Sequence, residues 1–287
     1  MKRIKILALI PLLFLTGCSL FKRDNMENIN IITTIYPLEY SIDYLYGESS
    51  TINSIYPDDT NIDDYTLTDK QIKDSSKKDL FVYMGLTNDS DIAVELINQN
   101  KNLKLIDATF GMEYKNDVSE LWLNPSNLII ILQNIKNGLD EYIDNAYLKI
   151  EINDRYKNLK LELSELDASL KATTQNANKK TIYTNSKSAL FLEKYGLTVI
   201  VVDEKHEQYE KNLALLKEAI ENKKVTYFYR LEDTTLPKSV KELVDNNKIK
   251  ELELRNLKNI TDSERKNKDT YVDITEKNID NLKKELY

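Results

Sequence analysis

The feature that most constrains the fold is a long apolar stripe in the middle of the chain. Neither glycine nor proline, the residues that most strongly disfavour a helix, occurs between Gly138 and Gly196. The pattern predicts a helix over about residues 144–173, roughly 45 Å long at about 1.5 Å per residue. Such a helix is either a dimerising coiled coil or a backbone helix lying across two lobes. The stripe has alternating spacings of four and three and consists of Ile152, Tyr156, Leu159, Leu163, Leu166 and Leu170.

Short apolar strands alternate with helices on both sides of this stripe. Residues 79–84 (DLFVYM) form an almost continuous apolar run, which is typical of a strand buried on both faces of a parallel sheet. A helix capped by Ser126 is predicted to end at about Gly138. The other predicted strands are 30–36, 51–56, 103–107, 180–184, 198–202, 224–229 and 250–254. The predicted fold class is therefore α/β, with two lobes, each a parallel-type sheet with flanking helices, joined by one long backbone helix.

The N-terminal segment has the pattern of a bacterial lipoprotein signal. A basic start is followed by an apolar run over residues 6–16, which is too short to span a bilayer. The run leads into Leu15-Thr16-Gly17-Cys18, which resembles a lipobox whose cysteine carries an acyl group such as palmitate. The alternative is an ordinary secretory signal with an incidental cysteine. Cys18 is the only cysteine, so it has no disulfide partner within the chain.

These patterns divide the chain into five parts. Residues 1–17 are a signal peptide, 18–29 a tether, 30–142 an N-terminal lobe, 143–175 the linking helix and 176–287 a C-terminal lobe. We therefore expect an extracytoplasmic monomer, lipid-anchored to the bacterial cell membrane without spanning it.

Charge and motif content exclude several functions. The net charge of −7 argues against nucleic acid as a partner. His206 is the only histidine and lies in a charged run, where a solvated loop residue is the plain interpretation. The chain contains no phosphate-binding loop and no nucleophile motif, so we expect no enzymatic activity.

Several motifs resemble those of the zinc and manganese receptors of bacterial ABC transporters, the solute-binding family of the cluster 9 type. Residues 33–38 (TTIYPL) and 79–86 (DLFVYMGL) resemble two strands of that family. Residues 121–125 (LWLNP) and 195–197 (YGL) resemble two further motifs of the family. The resemblance implies two lobes with a metal held between them, and an ABC permease as partner.

The same resemblance gives four ligand positions, usually three histidines and one aspartate in the family or two histidines with a glutamate and an aspartate, and the residues of this chain differ at all four. The first position falls on Asp63, in the acidic loop over residues 56–68 (YPDDTNIDDYTLT). The second falls on Glu120, the third on Asn185 and the fourth on Arg255. Tyr65 and Trp122 adjoin these positions, and we expect them to form walls of the site.

The altered positions leave several interpretations open. Asp63, Glu120 and Asn185 offer oxygen ligands for a divalent cation such as Zn²⁺, Mn²⁺ or Ca²⁺, but the positive charge of Arg255 disfavours one. The leading hypothesis places the Arg255 guanidinium where the metal would sit, paired with the two carboxylates. The alternatives are four ordinary surface residues or a site for a small zwitterion. The chain is then either a solute receptor or an interaction lipoprotein that acts through a protein partner.

Overall fold

The computed structural model describes residues 26–287, and the first lobe contains four strands and five helices within this range. The predicted signal peptide, the attachment residue Cys18 and most of the tether lie outside the described residues. The elements are β1 (Ile29–Thr33), α1 (Tyr36–Tyr46), β2 (Ser50–Ser54), α2 (Asp69–Ser75), β3 (Leu80–Tyr83), α3 (Asp89–Gln99), β4 (Lys104–Asp107), α4 (Glu120–Leu123) and α5 (Pro125–Tyr142).

The second lobe follows one long helix and has the same arrangement. It also contains a 3₁₀ segment, Lys187–Tyr195. The elements are α6 (Ala146–Gln175), β5 (Thr181–Thr184), β6 (Thr198–Val201), α7 (Tyr209–Glu221), β7 (Tyr227–Leu231), α8 (Lys238–Asn246), β8 (Lys250–Leu254), α9 (Asp262–Asn267) and α10 (Tyr271–Leu286).

Each lobe is built on a four-stranded parallel sheet. The strand orders are β2-β1-β3-β4 and β6-β5-β7-β8, so the two lobes share one topology. On β1, Ile31 packs into the large core, whereas its neighbour Ile32 packs with Phe81 into a second cluster on the other face. Both faces of the first sheet are thus covered, as the apolar run of β3 predicts.

Helix α6 joins the lobes and is buried along the predicted stripe. The stripe residues from Ile152 to Leu170 belong to one core that contains Leu38 of the first lobe and Leu282 of the second. The stripe therefore packs within the chain, as expected of a backbone helix rather than of a coiled coil. The predicted two-lobe α/β fold is confirmed.

Helix α5 differs from the prediction at both ends. Its N-cap is Asn124, whose side chain accepts a hydrogen bond from the Ser126 N–H, and Pro125 is its first residue. The helix continues past Gly138 to Tyr142. Among residues 26–287, no helix combines the length and apolar character that a membrane span requires.

Candidate binding site between the lobes

A cavity of about 750 Å³ lies at the carboxyl ends of the strands of the first sheet. Its walls include Tyr56 and Tyr65 from the acidic loop and Trp122 from α4. The two tyrosine rings meet edge to face, with centroids 5.8 Å apart. Tyr65 and Trp122 thus both line a cavity, in the place where the sequence puts a binding site.

The cavity is acidic. Its ionisable lining residues, apart from tyrosines, are one lysine, Lys258 of the second lobe, and five carboxylates, Asp63, Asp69, Asp89, Asp91 and Glu95. Burial raises the pKa of Tyr56 to about 12, and the charges of Asp89 and Asp63 add to this effect. The cavity therefore favours positive charge.

Asp63 is paired with Lys258 across the two lobes. The Lys258 ammonium lies 2.5 Å from Asp63 Oδ1 and also contacts Oδ2. The Asp63 side chain is 67% exposed, whereas that of Lys258 is 24% exposed. The ammonium is thus the better shielded member of the pair.

A bridging segment, residues 256–260, positions Lys258 against the acidic loop. The Lys258 N–H donates to Asn256 Oδ1 at 2.8 Å, and its carbonyl accepts from the Tyr36 N–H at 2.8 Å. The Asn259 amide donates to the carbonyls of Pro57 and Thr60, at 2.7 and 2.9 Å. These bonds fix the backbone from which the lysine side chain extends.

Glu120 lies at the start of α4 and is nearly buried, with 9% exposure. Its carboxylate accepts the backbone N–H groups of Lys115 and Asn116, at 3.2 and 3.1 Å. The side chain therefore closes the loop that precedes α4 and does not line the cavity.

Asn185 is also buried, at the end of β5. Its Oδ1 accepts from the Leu231 N–H at 3.0 Å, and its Nδ2 donates to Thr234 Oγ1 at 2.7 Å. The amide thus fastens the loop after β7 within the second lobe.

The predicted pairing of Arg255 with Asp63 and Glu120 is wrong. Arg255 forms ion pairs with Glu232 and, at 2.7 Å, with Glu264, both in its own lobe. The physical reason is that the chain turns after β8, so Arg255 faces its own lobe and Lys258 faces the cavity. The sequence offered one signal for this, a second basic residue three positions after Arg255.

Asp89 at the start of α3 is a cavity residue that sequence reasoning missed. It is buried, and its Oδ2 accepts from the Thr34 hydroxyl and from the Met84 N–H, the latter at 3.2 Å. Burial raises the pKa of Asp89, and these hydrogen bonds and the charge of Lys258 oppose the rise. The sequence feature that could have identified Asp89 is its position shortly after the buried strand β3.

The described part of the chain contains no ready-made cluster of metal-binding side chains. Within residues 26–287, no group of three or more His, Cys, Asp or Glu side chains is arranged to hold a metal ion. The Nδ1 atom of His206 accepts from the Gln208 N–H at 3.1 Å in the turn before α7. The histidine is thus a turn residue, away from the cavity.

A further polar contact joins the lobes through α9. Arg265 of α9 donates to both oxygens of Glu39 on α1, at 2.7 and 3.1 Å, and to Asp58 at 2.7 Å. Burial raises the pKa of Glu39, and Arg265 opposes this rise. The Trp122 indole N–H donates to the Asn256 carbonyl at 2.9 Å, which adds another link between the lobes.

Sequence comparisons identify relatives along nearly the whole chain. A family model described as "ZnuA: Zinc-uptake complex component A periplasmic" matches residues 31–285. The zinc-binding lipoprotein AdcA of Streptococcus pneumoniae (strain ATCC BAA-255 / R6) is 25% identical over 316 residues, covering 99% of this chain and 61% of that protein. The zinc-binding protein AdcA of Streptococcus pyogenes serotype M3 (strain ATCC BAA-595 / MGAS315) is 22% identical, covering 89% and 55%. The chain thus spans less than two thirds of either relative.

Solved structures share the fold. The Zn(II)-bound ZnuA-like domain of Streptococcus pneumoniae AdcA superposes with a TM-score of 0.73 and 22% identity, covering 90% of this chain and 99% of that one. The metal-dependent lipoprotein YcdH of Bacillus subtilis gives a TM-score of 0.75 and 20% identity, with the same coverage. Because the family model matches residues 31–285, the chain belongs to the ZnuA family of periplasmic zinc-uptake components.

Proposed function

We propose that this chain is an extracytoplasmic substrate-binding lipoprotein of an ABC importer. Acylated Cys18 would anchor it to the bacterial cell membrane, and a membrane permease would receive its solute. The observation that carries the proposal is the cavity at the carboxyl ends of the parallel strands of the first sheet, where α/β sheets bind ligands, with Lys258 of the second lobe in its lining. The family membership and the relatives described as zinc-binding lipoproteins support it.

We further propose that the metal site is degenerate and closed by an ion pair. Of the four positions that match the family ligands, only Asp63 lines the cavity, and the ammonium of Lys258 neutralises the charge of its carboxylate. The other three, Glu120, Asn185 and Arg255, bond to groups of their own lobes. Zinc receptors need imidazole or thiolate ligands for high affinity, and this cavity supplies neither.

Native mass spectrometry of the full-length protein in detergent tests the degenerate site. The protein is titrated with Zn²⁺, Mn²⁺ and Ca²⁺, with and without a chelator. We expect no equimolar adduct at micromolar metal, because the donors are missing. An equimolar complex of sub-micromolar affinity with Zn²⁺ or Mn²⁺ would refute the degenerate site and leave the receptor assignment standing.

Crosslinking in cells tests the receptor assignment itself. A photoreactive residue at exposed Phe110, four positions before the cavity lining residue Tyr114, should capture an ABC permease. The Cys18→Ser variant should leave the membrane fraction, because it lacks the acylated thiol. A chain that stays membrane-bound after this change, or that captures no permease, contradicts the proposal.

The second candidate function is that of an interaction lipoprotein, which binds no metal and acts through a protein partner. It is favoured by the contacts of Lys258 with Asp63 and of Arg265 with Glu39 and Asp58, which join the lobes through the chain's own charges. In that case the same crosslinking captures an envelope protein other than a permease, and uptake of divalent metals is unchanged when the gene is deleted.

A further inference from the structure

Lys258 supplies the positive charge of a cavity whose other charged groups are all acidic. Five carboxylates share the lining with this single ammonium. The ammonium contacts both oxygens of Asp63, and its charge also acts on buried Asp89. A cation that entered the cavity would therefore meet an acidic wall that already has a positively charged partner.

The lysine is held in place by its backbone. Its N–H and its carbonyl are both hydrogen bonded at 2.8 Å, to Asn256 and to Tyr36 of the first lobe. The next residue, Asn259, is fastened to two carbonyls of the acidic loop. Since folding has already ordered the backbone on both sides, only the side chain of Lys258 has to be ordered for the ammonium to contact Asp63.

We infer that Lys258 is a specificity-determining residue that excludes divalent metal ions from the cavity by acting as a built-in cation. The inference rests on the proposed function of the cavity as the binding site. A divalent ion at Asp63 would have to displace the ammonium or lie within a few ångströms of it. Both routes weaken binding, the first through a lost ion pair and the second through direct repulsion.

The substitution Lys258→Gln tests the inference, because it removes the charge and keeps a polar side chain. Calorimetric titration with Mn²⁺, Zn²⁺ and Ca²⁺ should show affinity at least roughly tenfold tighter than in the unaltered protein for one or more of these ions. The gain should shrink as NaCl is raised, because salt screens partly exposed charges. The variant Lys258→Arg keeps the charge and should show no gain.

A matched control separates this effect from a general loss of positive charge. Lys241 also contacts a carboxylate, Glu251, but lies on α8 outside the cavity lining. Lys241→Gln should leave metal affinity unchanged. Equal affinities in Lys258→Gln and the unaltered protein, or an equal gain in Lys241→Gln, would overturn the inference.

A measurement on the unaltered protein covers the case in which the variant fails to fold. The rate at which an amine-reactive reagent labels Lys258 is followed by peptide mass spectrometry while Mn²⁺, Zn²⁺ or Ca²⁺ is added. An ion that took Asp63 would release the ammonium and accelerate labelling. We expect an unchanged rate up to millimolar metal, and faster labelling at micromolar metal refutes the inference. None of these readouts depends on a permease, so failure of the receptor assignment is distinguishable from failure here.

Discussion

Removal of Arg265 should destabilise the protein in a pH-dependent way. Its guanidinium binds both oxygens of Glu39, at 2.7 and 3.1 Å, and reaches Asp58 on the same lobe as Glu39. The Glu39 side chain is 11% exposed and that of Arg265 is 42% exposed. Arg265→Ala therefore leaves a nearly buried carboxylate without its cation and opens a path for water on one side.

The magnitude follows from this burial. Breaking a fully buried pair by removing one partner costs about 3–5 kcal/mol, and the partial exposure of Arg265 reduces this to about 2–3 kcal/mol in the free energy of unfolding. Burial raises the pKa of Glu39 above its ordinary value of 4.5, and Arg265 opposes that rise. Without Arg265 the pKa of Glu39 in the folded state should rise further.

The sign of the pH dependence follows from proton binding. When the pKa of Glu39 is higher in the folded state than in the unfolded state, the folded protein binds more protons, so stability falls as pH rises above 4.5. The loss caused by Arg265→Ala should therefore be larger at pH 7.5 than at pH 5. Urea unfolding followed by the fluorescence of Trp122, the only tryptophan, measures it at both values.

Two further variants make this prediction refutable. Glu39→Gln in the Arg265→Ala background removes the unpaired charge and should recover part of the loss at pH 7.5. Lys266→Ala, at an exposed neighbouring position of α9, should change stability by less than about 0.5 kcal/mol. An equal loss at both pH values, or no recovery when the carboxylate of Glu39 is replaced by a neutral amide, would refute the role assigned to the pair.

Three other predictions concern packing and a buried hydrogen bond, and are checked by the same urea unfolding. Leu163→Ala on α6 should cost about 2–5 kcal/mol because Leu163 is fully buried, whereas Leu161→Ala, 60% exposed, should have little effect. Gly138→Ala should destabilise by about 1–3 kcal/mol despite the better helix propensity of alanine, because its Cβ would lie 2.8 Å from the Ile106 side chain. Tyr195→Phe should cost about 1–3 kcal/mol, since the hydroxyl contacts an amide of the first lobe and a carboxylate on α6.

The fold was predictable because it rests on periodicity, whereas α5 shows where local rules fail. The spacing of apolar residues shows which side chains of the strands and of α6 are buried. Burial in turn determines where these strands and this helix form. Gly138 predicted the end of a helix, yet α5 continues through it. The glycine is needed there because the Ile106 side chain packs against its backbone, which is a tertiary contact that no local pattern encodes.

The candidate site was predictable only in outline. The acidic loop and the aromatic walls Tyr65 and Trp122 follow from motifs, and they do line the cavity. The motifs do not show which basic residue faces Asp63, because Arg255 and Lys258 are three positions apart and carry the same charge. The choice between them depends on the backbone path after β8, which the hydrogen bonds to Tyr36 and to the acidic loop determine.

Helix α6 also limits how the lobes can move relative to each other. It is hydrogen bonded along 30 residues without glycine or proline and packs against both lobes, so it resists bending. The bridging segment adds a second connection near the cavity. A stiff helix that packs against both lobes favours small relative movements of the lobes over the wide opening of receptors with a flexible hinge. Two spectroscopic labels at the ends of α6 should keep a constant distance from each other. Distances from these labels to a third label in the acidic loop would then measure movement of that loop.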